Sequence, residues 1–456
     1  MTMKPPKAGT FLLAPALTAL RPVILSPIAL SMLAPGAHAA GLALRDGDAT
    51  STANAYVGGV SRAGDAATVS LNPAGLSLLP SSEFYGNVFY IDPTARFSGR
   101  NRGADGRPTP GSTGGGNIDP SGSGGSFGAW KVTDRLAIGL GVTVPYGVRM
   151  NYPTDWVGRY QSLVTHVSDY DLTLAASYRL TPKLSIGLGP RMDFLTGRFT
   201  RALNLASVNL ASVNLASGPI PGNSVADISG NGFAFGYVAG MLYMPDSRTR
   251  IGVAYHSRMG IALSGRTQLA AAPVLAQIPF VRAAFAEAGG HVSGQITLPD
   301  SVDFGVTRAV TDRLSVSLQG EWTHWSLLSE LNFTTDHPGG ASTSFAVNWR
   351  DTWFGGIAGT YRLTPAVTLR GGFSYDQSAS ADAATRITQA PDSDRYTLAG
   401  GVEYTPLPRL SLELSYAHLF TPAAPIDATS APEAGTLTGT YHDSANVVAL
   451  GSHLRF

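Results

Sequence analysis

The sequence lacks cysteine, is poor in charged residues and has no long apolar stretch after its first 39 residues. Of its 456 residues, 14% are charged and 53 are glycine, whereas about 25% of an average soluble domain is charged. The absence of a run of about 20 apolar residues argues against membrane-spanning helices. The net charge of +1 provides no basic surface for nucleic acid.

Motifs for chemistry are also missing. The histidines do not show the H-x-x-x-H spacing of a metal site, and no nucleotide-binding loop is present. The sequence leaves open whether a serine and a histidine come together in the folded chain as a catalytic pair. The sequence therefore predicts no enzyme, no cofactor and no metal site.

A short motif recurs six times along the chain. An aromatic residue usually precedes a tight turn, often with proline or aspartate, and alternating aliphatic residues follow. Proline presets the backbone for a turn and cannot donate within a strand ladder. The copies lie at 130–140, 178–188, 243–253, 307–318, 361–369 and 404–412. Six turns at one end join six strand pairs, and one further strand on each side gives 14 antiparallel strands.

The strands next to these turns alternate between apolar and polar residues. Leu172, Leu174 and Tyr178 alternate with Thr173 and Ser177, as expected for lipid outside and a polar lumen. A soluble β-sandwich would alternate in the same way. Aromatic residues at one height, as in the girdle at a membrane interface, favour the barrel over the sandwich. They are Trp130, Tyr178, Tyr243, Tyr361 and Tyr404. We predict an all-β fold, a 14-stranded transmembrane barrel over 81–456; the uneven turn spacing argues against a β-propeller.

The first 80 residues differ from this pattern. Residues 1–39 combine Lys4, Lys7 and Arg21 with a short apolar run and an A-x-A site at 37–39, which predicts a cleaved signal peptide. Residues 40–80 are rich in small residues and do not alternate. The lumen of a 14-stranded barrel is too wide to be filled by its own side chains. We therefore predict that 40–80 form a hatch inside the barrel.

Three stretches give this hatch and the first strand a specific resemblance. They are Gly64-Asp65-Ala66-Ala67, Asn72-Pro73-Ala74-Gly75-Leu76 and Tyr90-Ile91-Asp92-Pro93. Together they resemble the FadL family of outer-membrane transporters for long-chain fatty acids and other hydrophobic compounds. The resemblance implies a Gram-negative outer membrane and passive transport, with uptake of monoaromatic hydrocarbons as the alternative. It implies a gating role for Asn72, Pro73, Ala74 and Gly75, although Asn-Pro is also an ordinary turn.

The third predicted strand, from Arg135 to about Val144, contains or precedes residues that weaken a ladder. They are Gly139, Gly141, Pro145 and Gly147. The resemblance implies a kink here that opens the barrel wall sideways and releases the ligand into the membrane. The alternative is that Pro145 merely ends the strand.

An apolar loop at 266–290 is a candidate ligand groove. Several of its residues fall near helical spacing, and an exposed apolar helix is costly unless it contacts something apolar. The groove residues would be Leu269, Val274, Leu275, Ile278, Phe280, Val281 and Phe285. The loop would either capture a hydrophobic ligand, as the resemblance implies, or cap the barrel mouth. The repeat NLASV within 204–217 is expected to be a loop without function.

Two arginines on predicted lumen faces, Arg191 and Arg370, are candidate partners for a ligand carboxylate. Pairing with wall acids such as Asp193 or Glu413 is the alternative. A general polar porin is a more distant functional alternative, but it would need a charged constriction and no hatch.

The last strand has one apolar face that ends in a terminal phenylalanine. Val448, Leu450, Leu454 and Phe456 form this face. The pattern resembles the signal that outer-membrane barrels present to the barrel assembly machinery. The expected partners are thus that machinery, membrane lipid and a hydrophobic small molecule, with the protein as a monomer.

Overall fold

The computed structural model describes residues 41–45, 47–114, 118–204, 223–336, 343–429 and 434–456, with only the backbone at 280, 343 and 345. The predicted signal peptide and the repeat region from 205 onward lie outside this part of the chain. No described helix is long and apolar enough to cross a membrane.

All described strand segments belong to one antiparallel sheet. Its 20 segments make 14 strands, because six strands are each interrupted once. The last strand pairs with the first from Glu83↔Arg455 to Arg102↔Thr436, which closes the sheet into a barrel. A closed barrel has no unpaired edge strand. The predicted 14-stranded barrel is confirmed, and the propeller alternative is excluded.

The first seven strands are β1 (Glu83–Arg102), β2 (Ser121–Lys131), β3 (Leu136–Thr143 and Gly147–Asn151), β4 (Val164–Thr181), β5 (Leu184–Leu203), β6 (Ser224–Asp246) and β7 (Thr249–His256 and Met259–Ala270). The others are β8 (Gly290–Leu298 and Ser301–Ala309), β9 (Leu314–Thr323 and Glu330–Thr335), β10 (Thr343–Ala346 and Thr352–Arg362), β11 (Val367–Asp376), β12 (Arg395–Leu407), β13 (Leu410–Phe420 and Ala424–Ala428) and β14 (Thr436–Arg455). The six tight turns lie where the sequence predicts them, between β2 and β3 and then after every second strand.

The two faces of the barrel differ in polarity. Leu188 is 61% exposed on the outside, and Leu174, Leu414 and Leu450 are about half exposed there. The residues that alternate with them, such as Ser415, are buried toward the lumen. Tyrosines beside the tight turns are also exposed on the outside; they are Tyr178, Tyr243, Tyr361 and Tyr404. This pattern suits a surface that contacts lipid and has an aromatic girdle at one interface.

The chain before β1 lies inside the barrel as a set of very short helices. They are α1 (Ala49–Ala53), α2 (Gly59–Arg62), α3 (Thr68–Leu71) and a 3-10 helix (Pro73–Leu78). Helices of one turn are not stable alone in water. Nearly all their residues are buried, and the wall supplies polar partners, such as Glu413 for the Thr50 hydroxyl at 2.7 Å. The hatch therefore depends on the barrel for its structure.

Glycines in the wall allow the hatch to approach closely. Eleven glycines from ten strands point at hatch atoms, so that an added Cβ would lie between 1.9 and 3.1 Å from the hatch. These glycines are Gly125, Gly139, Gly141, Gly187, Gly240, Gly252, Gly305, Gly356, Gly372, Gly401 and Gly451. Since real Cβ atoms do not approach this closely, the wall glycines set the distance between the barrel and the hatch.

Two loops at the end opposite the tight turns bear on function. The loop between β7 and β8 contains a 3-10 helix (Leu275–Gln277) and α4 (Pro279–Ala288). Elsewhere in the barrel, a third 3-10 helix (Trp325–Leu327) interrupts β9. The loop 377–394, between β11 and β12, is largely buried, with Ala379 and Thr388 almost fully covered. This loop folds inward over the lumen.

We predict that Gly187→Ala destabilises the protein. A Cβ there would lie 2.4 Å from the backbone of Pro73 and Ala74, and overpacking of this kind costs about 1–3 kcal/mol. The measurement is the temperature at which the folded, fast-migrating band on a gel converts to the unfolded one. Gly359→Ala, whose Cβ would meet nothing within 4 Å, is the matched control. Equal stability of the two variants would contradict the close-contact role of Gly187.

Candidate functional site

An apolar cavity of about 40 Å³ lies in the upper lumen; we call it the apolar pocket. Leu195 and Phe199 of β5 line it, whereas the hatch contacts Gly187 on the same strand. Leu195 lies eight residues beyond Gly187, so at ~3.3 Å per residue the pocket is roughly 25 Å farther along β5 from the tight turn than this hatch contact is. Of its 17 lining residues only Thr165, Gln389 and the indole N–H of Trp349 offer polar side-chain groups, and none is ionisable. The pocket suits an apolar ligand.

The apolar pocket is narrow in this conformation. Its volume of about 40 Å³ is far below the roughly 300–1,000 Å³ of most ligand pockets. Ile387 and Ala390 of the inward loop 377–394 cover part of it. Tyr152 donates a hydrogen bond to the Thr388 carbonyl at 2.8 Å, which ties the loop to the opposite wall. A ligand must therefore displace side chains or this loop.

A second cavity, of about 190 Å³, lies between the apolar pocket and the hatch; we call it the polar chamber. Its acidic and basic lining residues come from the hatch and from five strands. They are Arg45, Asp48, Asp171, Arg191, His256, Asp303 and Glu321. Burial and, to a smaller extent, the nearby Asp65 raise the pKa of the Asp48 carboxyl to about 6, whereas Arg62 acts to lower it. Of the seven residues, four are acidic and three are basic.

The two arginines of the polar chamber are each held by two carboxylates. Arg45 lies 2.6 Å from Glu321 and 2.9 Å from Asp376, and its guanidinium stacks 4.0 Å over the Phe354 ring. These contacts fix the N-terminal end of the hatch to β9, β10 and β11.

Arg191 lies on β5 at the other side of the lumen. It is 2.9 Å from Asp171 and 3.7 Å from Asp193. Arg370, outside the chamber, lies 2.6 Å from Glu403 and 3.2 Å from Glu413. The acidic partners Asp193 and Glu413 that the sequence suggests are thus present for both candidate arginines.

Residues Leu42–Arg45, which we call the divider, separate the two cavities. Leu42 lines the apolar pocket, whereas Ala43, Leu44 and Arg45 line the polar chamber. The divider also forms a short antiparallel bridge with β3 at Ala43↔Tyr146. Leu44 donates its backbone N–H to the Pro145 carbonyl at 2.7 Å, and Gly147 donates to the Leu42 carbonyl at 2.8 Å.

The third strand is interrupted where the divider contacts it. The ladder between β2 and β3 ends at Ser126↔Val142. Beyond that point, within the described residues, the upper part of β2 pairs with β1 alone and the second segment of β3 pairs with β4 alone. Val144, Pro145 and Tyr146 form the interruption and line the polar chamber. The wall therefore has a gap in its ladder between β2 and β3.

The four residues expected at a lateral opening lie in different places. Pro145 and Gly147 flank the interruption, where they bond to the divider. Gly139 and Gly141 lie in the intact first segment of β3 and face the hatch, since an added Cβ would lie 2.9 and 2.7 Å from Leu76 and Ser70. The two glycines therefore contact the hatch and do not form the edge of the interruption.

The predicted gating residues form a tightly held corner of the hatch. Asn72 is fully buried, and its Nδ2 donates to the Val60 carbonyl at 2.7 Å and to the Met241 carbonyl of β6 at 3.2 Å. The Ala74 carbonyl accepts hydrogen bonds from Ser177 and Ser185 at 3.0 and 2.7 Å. Gly75 leaves no room for a side chain beside Thr68. These contacts describe an anchor between the hatch and β4–β7.

The apolar residues of the predicted groove loop pack largely against one another. The helix begins at Pro279, since proline suits a first helical turn, and does not extend across it. Leu275 and Val281 are buried, with Ile278 and Phe285 packed against them. Val274 is exposed, Leu269 lies at the end of β7, and the Phe280 side chain lies outside the described part. The groove function stays a prediction.

Sequence reasoning missed the divider, the apolar pocket and the role of the wall glycines. The large number of glycines was the available signal, because many of them recur on the lumen face of a strand, as Gly139 and Gly141 do. No signal pointed to Arg45, whose partners are 276 and 331 residues away in the chain.

Comparisons with known proteins agree on one family. A family model described as "Outer membrane protein transport protein (OMPP1/FadL/TodX)" matches residues 30–456. Outer membrane protein P1 of Haemophilus influenzae is 27% identical, covering 86% of this chain and 88% of that protein. The long-chain fatty acid transport protein of Salmonella typhi is 25% identical over 83% of this chain and 86% of its own length.

Solved structures show the same fold. A FadL homologue of Pseudomonas aeruginosa superposes with a TM-score of 0.82 at 23% identity, covering 91% of this chain and all of that one. The toluene transporter TodX of Pseudomonas putida superposes with a TM-score of 0.65 at 17% identity, covering 91% of this chain and 99% of that one.

We predict that Asn72→Asp weakens the hatch more than Asn72→Ala. Aspartate removes the Nδ2 donor and places a buried carboxylate beside the Val60 and Met241 carbonyls, whereas alanine leaves only unpaired carbonyls. An unsatisfied buried group costs about 1–3 kcal/mol, and a charged one more. Thermal unfolding followed by circular dichroism measures the order. Wild-type stability of Asn72→Asp would contradict the anchoring role.

Proposed function

This chain belongs to the outer membrane protein transport family (OMPP1/FadL/TodX), and from this premise we propose that it carries hydrophobic molecules passively across the outer membrane. It is an outer-membrane β-barrel of a Gram-negative bacterium, and its family is one of transporters. The cargo is a long-chain fatty acid or another hydrophobic compound. Uptake of monoaromatic hydrocarbons is the second candidate, favoured by the absence of ionisable residues around the apolar pocket.

The apolar pocket above a filled lumen is the observation that carries this proposal. A general porin needs an open aqueous path, but here the hatch lies against glycines of ten strands. A cavity with three polar side-chain groups among 17 residues offers little to a polar solute. Both features favour a hydrophobic ligand and disfavour the porin alternative.

Free energies of transfer favour a sideways release. A chain of ~16 carbons gains up to roughly 12 kcal/mol on leaving water, at ~0.8 kcal/mol per methylene. Release into the aqueous periplasm would cost about the same amount again. Release through the wall into lipid hydrocarbon avoids that cost, and the missing ladder between β2 and β3 supports this exit.

We assign the moving part to the divider. It borders both cavities and the interruption of β3, and only two backbone hydrogen bonds join it to that strand. The Asn72 corner is held by bonds to several strands and by wall glycines, so its contacts favour a fixed anchor. In this scheme the loop 266–290 captures the ligand, the apolar pocket binds it, and movement of the divider connects the pocket to the gap.

Assembly partners follow from the closed barrel. β14 pairs along its whole length with β1, and its apolar face is exposed up to Leu454. This supports recognition of the last strand by the barrel assembly machinery before closure. The absence of an open edge after closure supports a monomer.

A reversible crosslink tests the role of the divider. The chain has no cysteine, and directly opposed residues of an antiparallel bridge are close enough for a disulfide. We predict that oxidised Ala43→Cys/Tyr146→Cys loses uptake of labelled palmitic acid and toluene, because the divider stays at the gap. Reduction should restore uptake, whereas binding to the purified protein should persist in both states.

The control pair is Leu414→Cys/Leu450→Cys, which joins two opposed residues of β13 and β14 on the outer face. Its uptake should be the same when oxidised and reduced. Undiminished uptake by the oxidised divider pair would overturn the proposed movement. Absence of saturable binding of any hydrophobic probe would overturn the proposed function itself.

A further inference from the structure

We propose that this protein selects uncharged hydrophobic compounds, such as hydrocarbons and fatty-acid esters, and discriminates against the fatty-acid anion. The inference rests on the proposed transport function and narrows its substrate class. It follows from where the charges of the lumen lie and from what already occupies them.

The apolar pocket offers no charged partner. None of its 17 lining residues is ionisable. The Gln389 amide donates to the Gln161 carbonyl at 3.1 Å. The Trp349 indole N–H, which has no hydrogen-bond partner among the described residues, is an uncharged donor. A carboxylate drawn into this pocket would lose its hydration without a cation in return, which disfavours the charged form strongly.

The polar chamber next to it does not supply the missing cation. Each of its two arginines already contacts two carboxylates, Arg45 with Glu321 and Asp376, and Arg191 with Asp171 and Asp193. Both guanidinium groups are therefore already paired with acidic side chains of the barrel wall. An incoming carboxylate would meet repulsion from these acids as well as attraction from the guanidinium.

The remaining basic group of the chamber is His256, and it is also engaged. Its Nε2 lies 2.8 Å from the Ser70 carbonyl, which requires this nitrogen to donate, and its Nδ1 lies 3.6 Å from Asp303. Asp48 adds another carboxylate to the same cavity. The chamber that a ligand must pass to reach the β3 gap is therefore acidic.

The residues outside the described part add no further arginine or lysine that a ligand carboxylate could meet. Between 41 and 456 these are residues 46, 115–117, 205–222, 337–342 and 430–433, and their sequences contain neither lysine nor arginine. Every arginine and lysine after the predicted signal peptide therefore lies in the described part, and only two of them line the two cavities.

The test compares ligands with similar apolar chains, of which only palmitate is charged. Palmitate, methyl palmitate and hexadecane are measured by equilibrium dialysis against the detergent-purified full-length protein at pH 7.5. We expect the ester to bind tighter than the acid by roughly tenfold or more, since one pKa unit of a disfavoured carboxylate corresponds to tenfold. Equal or tighter binding of palmitate would overturn the inference.

A variant of the chamber tests the cause. Glu321→Gln removes one carboxylate from Arg45 and leaves Asp376 as its partner, so the ratio of ester to acid affinity should fall toward one. Asp312→Asn is the matched control, because Asp312 lies on an exposed turn and pairs with Arg248. Its ratio should equal that of the wild type. If Glu321→Gln does not fold, Asp303→Asn takes its place.

The outcomes separate the inference from the proposed function. Saturable binding of palmitate with weak binding of the ester would retain transport and overturn the uncharged class. No saturable binding of any of the three probes would overturn the transport function. A tenfold preference for the ester that Glu321→Gln leaves unchanged would overturn the assignment to the chamber acids.

Discussion

The close contact between the hatch and the wall glycines is the constraint on which the rest of the structure depends. A barrel of 14 strands is too wide to fill its lumen with its own side chains, so a separate segment must fill it. Hatch atoms reach the wall backbone at positions such as Gly187 and Gly240, where any side chain would collide. This contact surrounds the hatch and holds helices of a single turn in place. In our proposal, motion is confined to the part of the divider beside β3, which two backbone hydrogen bonds join to that strand, while Arg45 stays paired with Glu321 and Asp376.

Local patterns made the barrel predictable from sequence. Each tight turn combines its own turn residues with an adjacent alternation of period two, and these signals need no distant partner. They predicted the strand number and the outer face. The cavities could not be predicted from such local signals, because their walls combine residues from many strands, the divider and the loop 377–394. Arg45 illustrates the limit, since its carboxylate partners are hundreds of residues away.

The third strand shows that residue types grouped in one prediction can have different structural roles. Period two puts Gly139 and Gly141 on the face opposite Ile138, which is 41% exposed to lipid. Their side of the strand therefore faces the hatch. Pro145 lies beyond them, where the ladder with β2 has ended. Glycine at close contacts and proline at a strand break have different physical causes, and a sequence motif that groups them conceals this difference.

The lumen charges serve structure before they serve recognition. Arg45 joins the divider to β9 and β11, and Thr50 joins α1 to Glu413 of β13, so that ionised groups hold the plug in the barrel. A buried charge is tolerated when partners compensate its lost hydration. Because each of these arginines already contacts two acidic side chains, we expect little attraction to remain for a ligand carboxylate. In our proposal, the charge arrangement that secures the hatch therefore also selects among ligands.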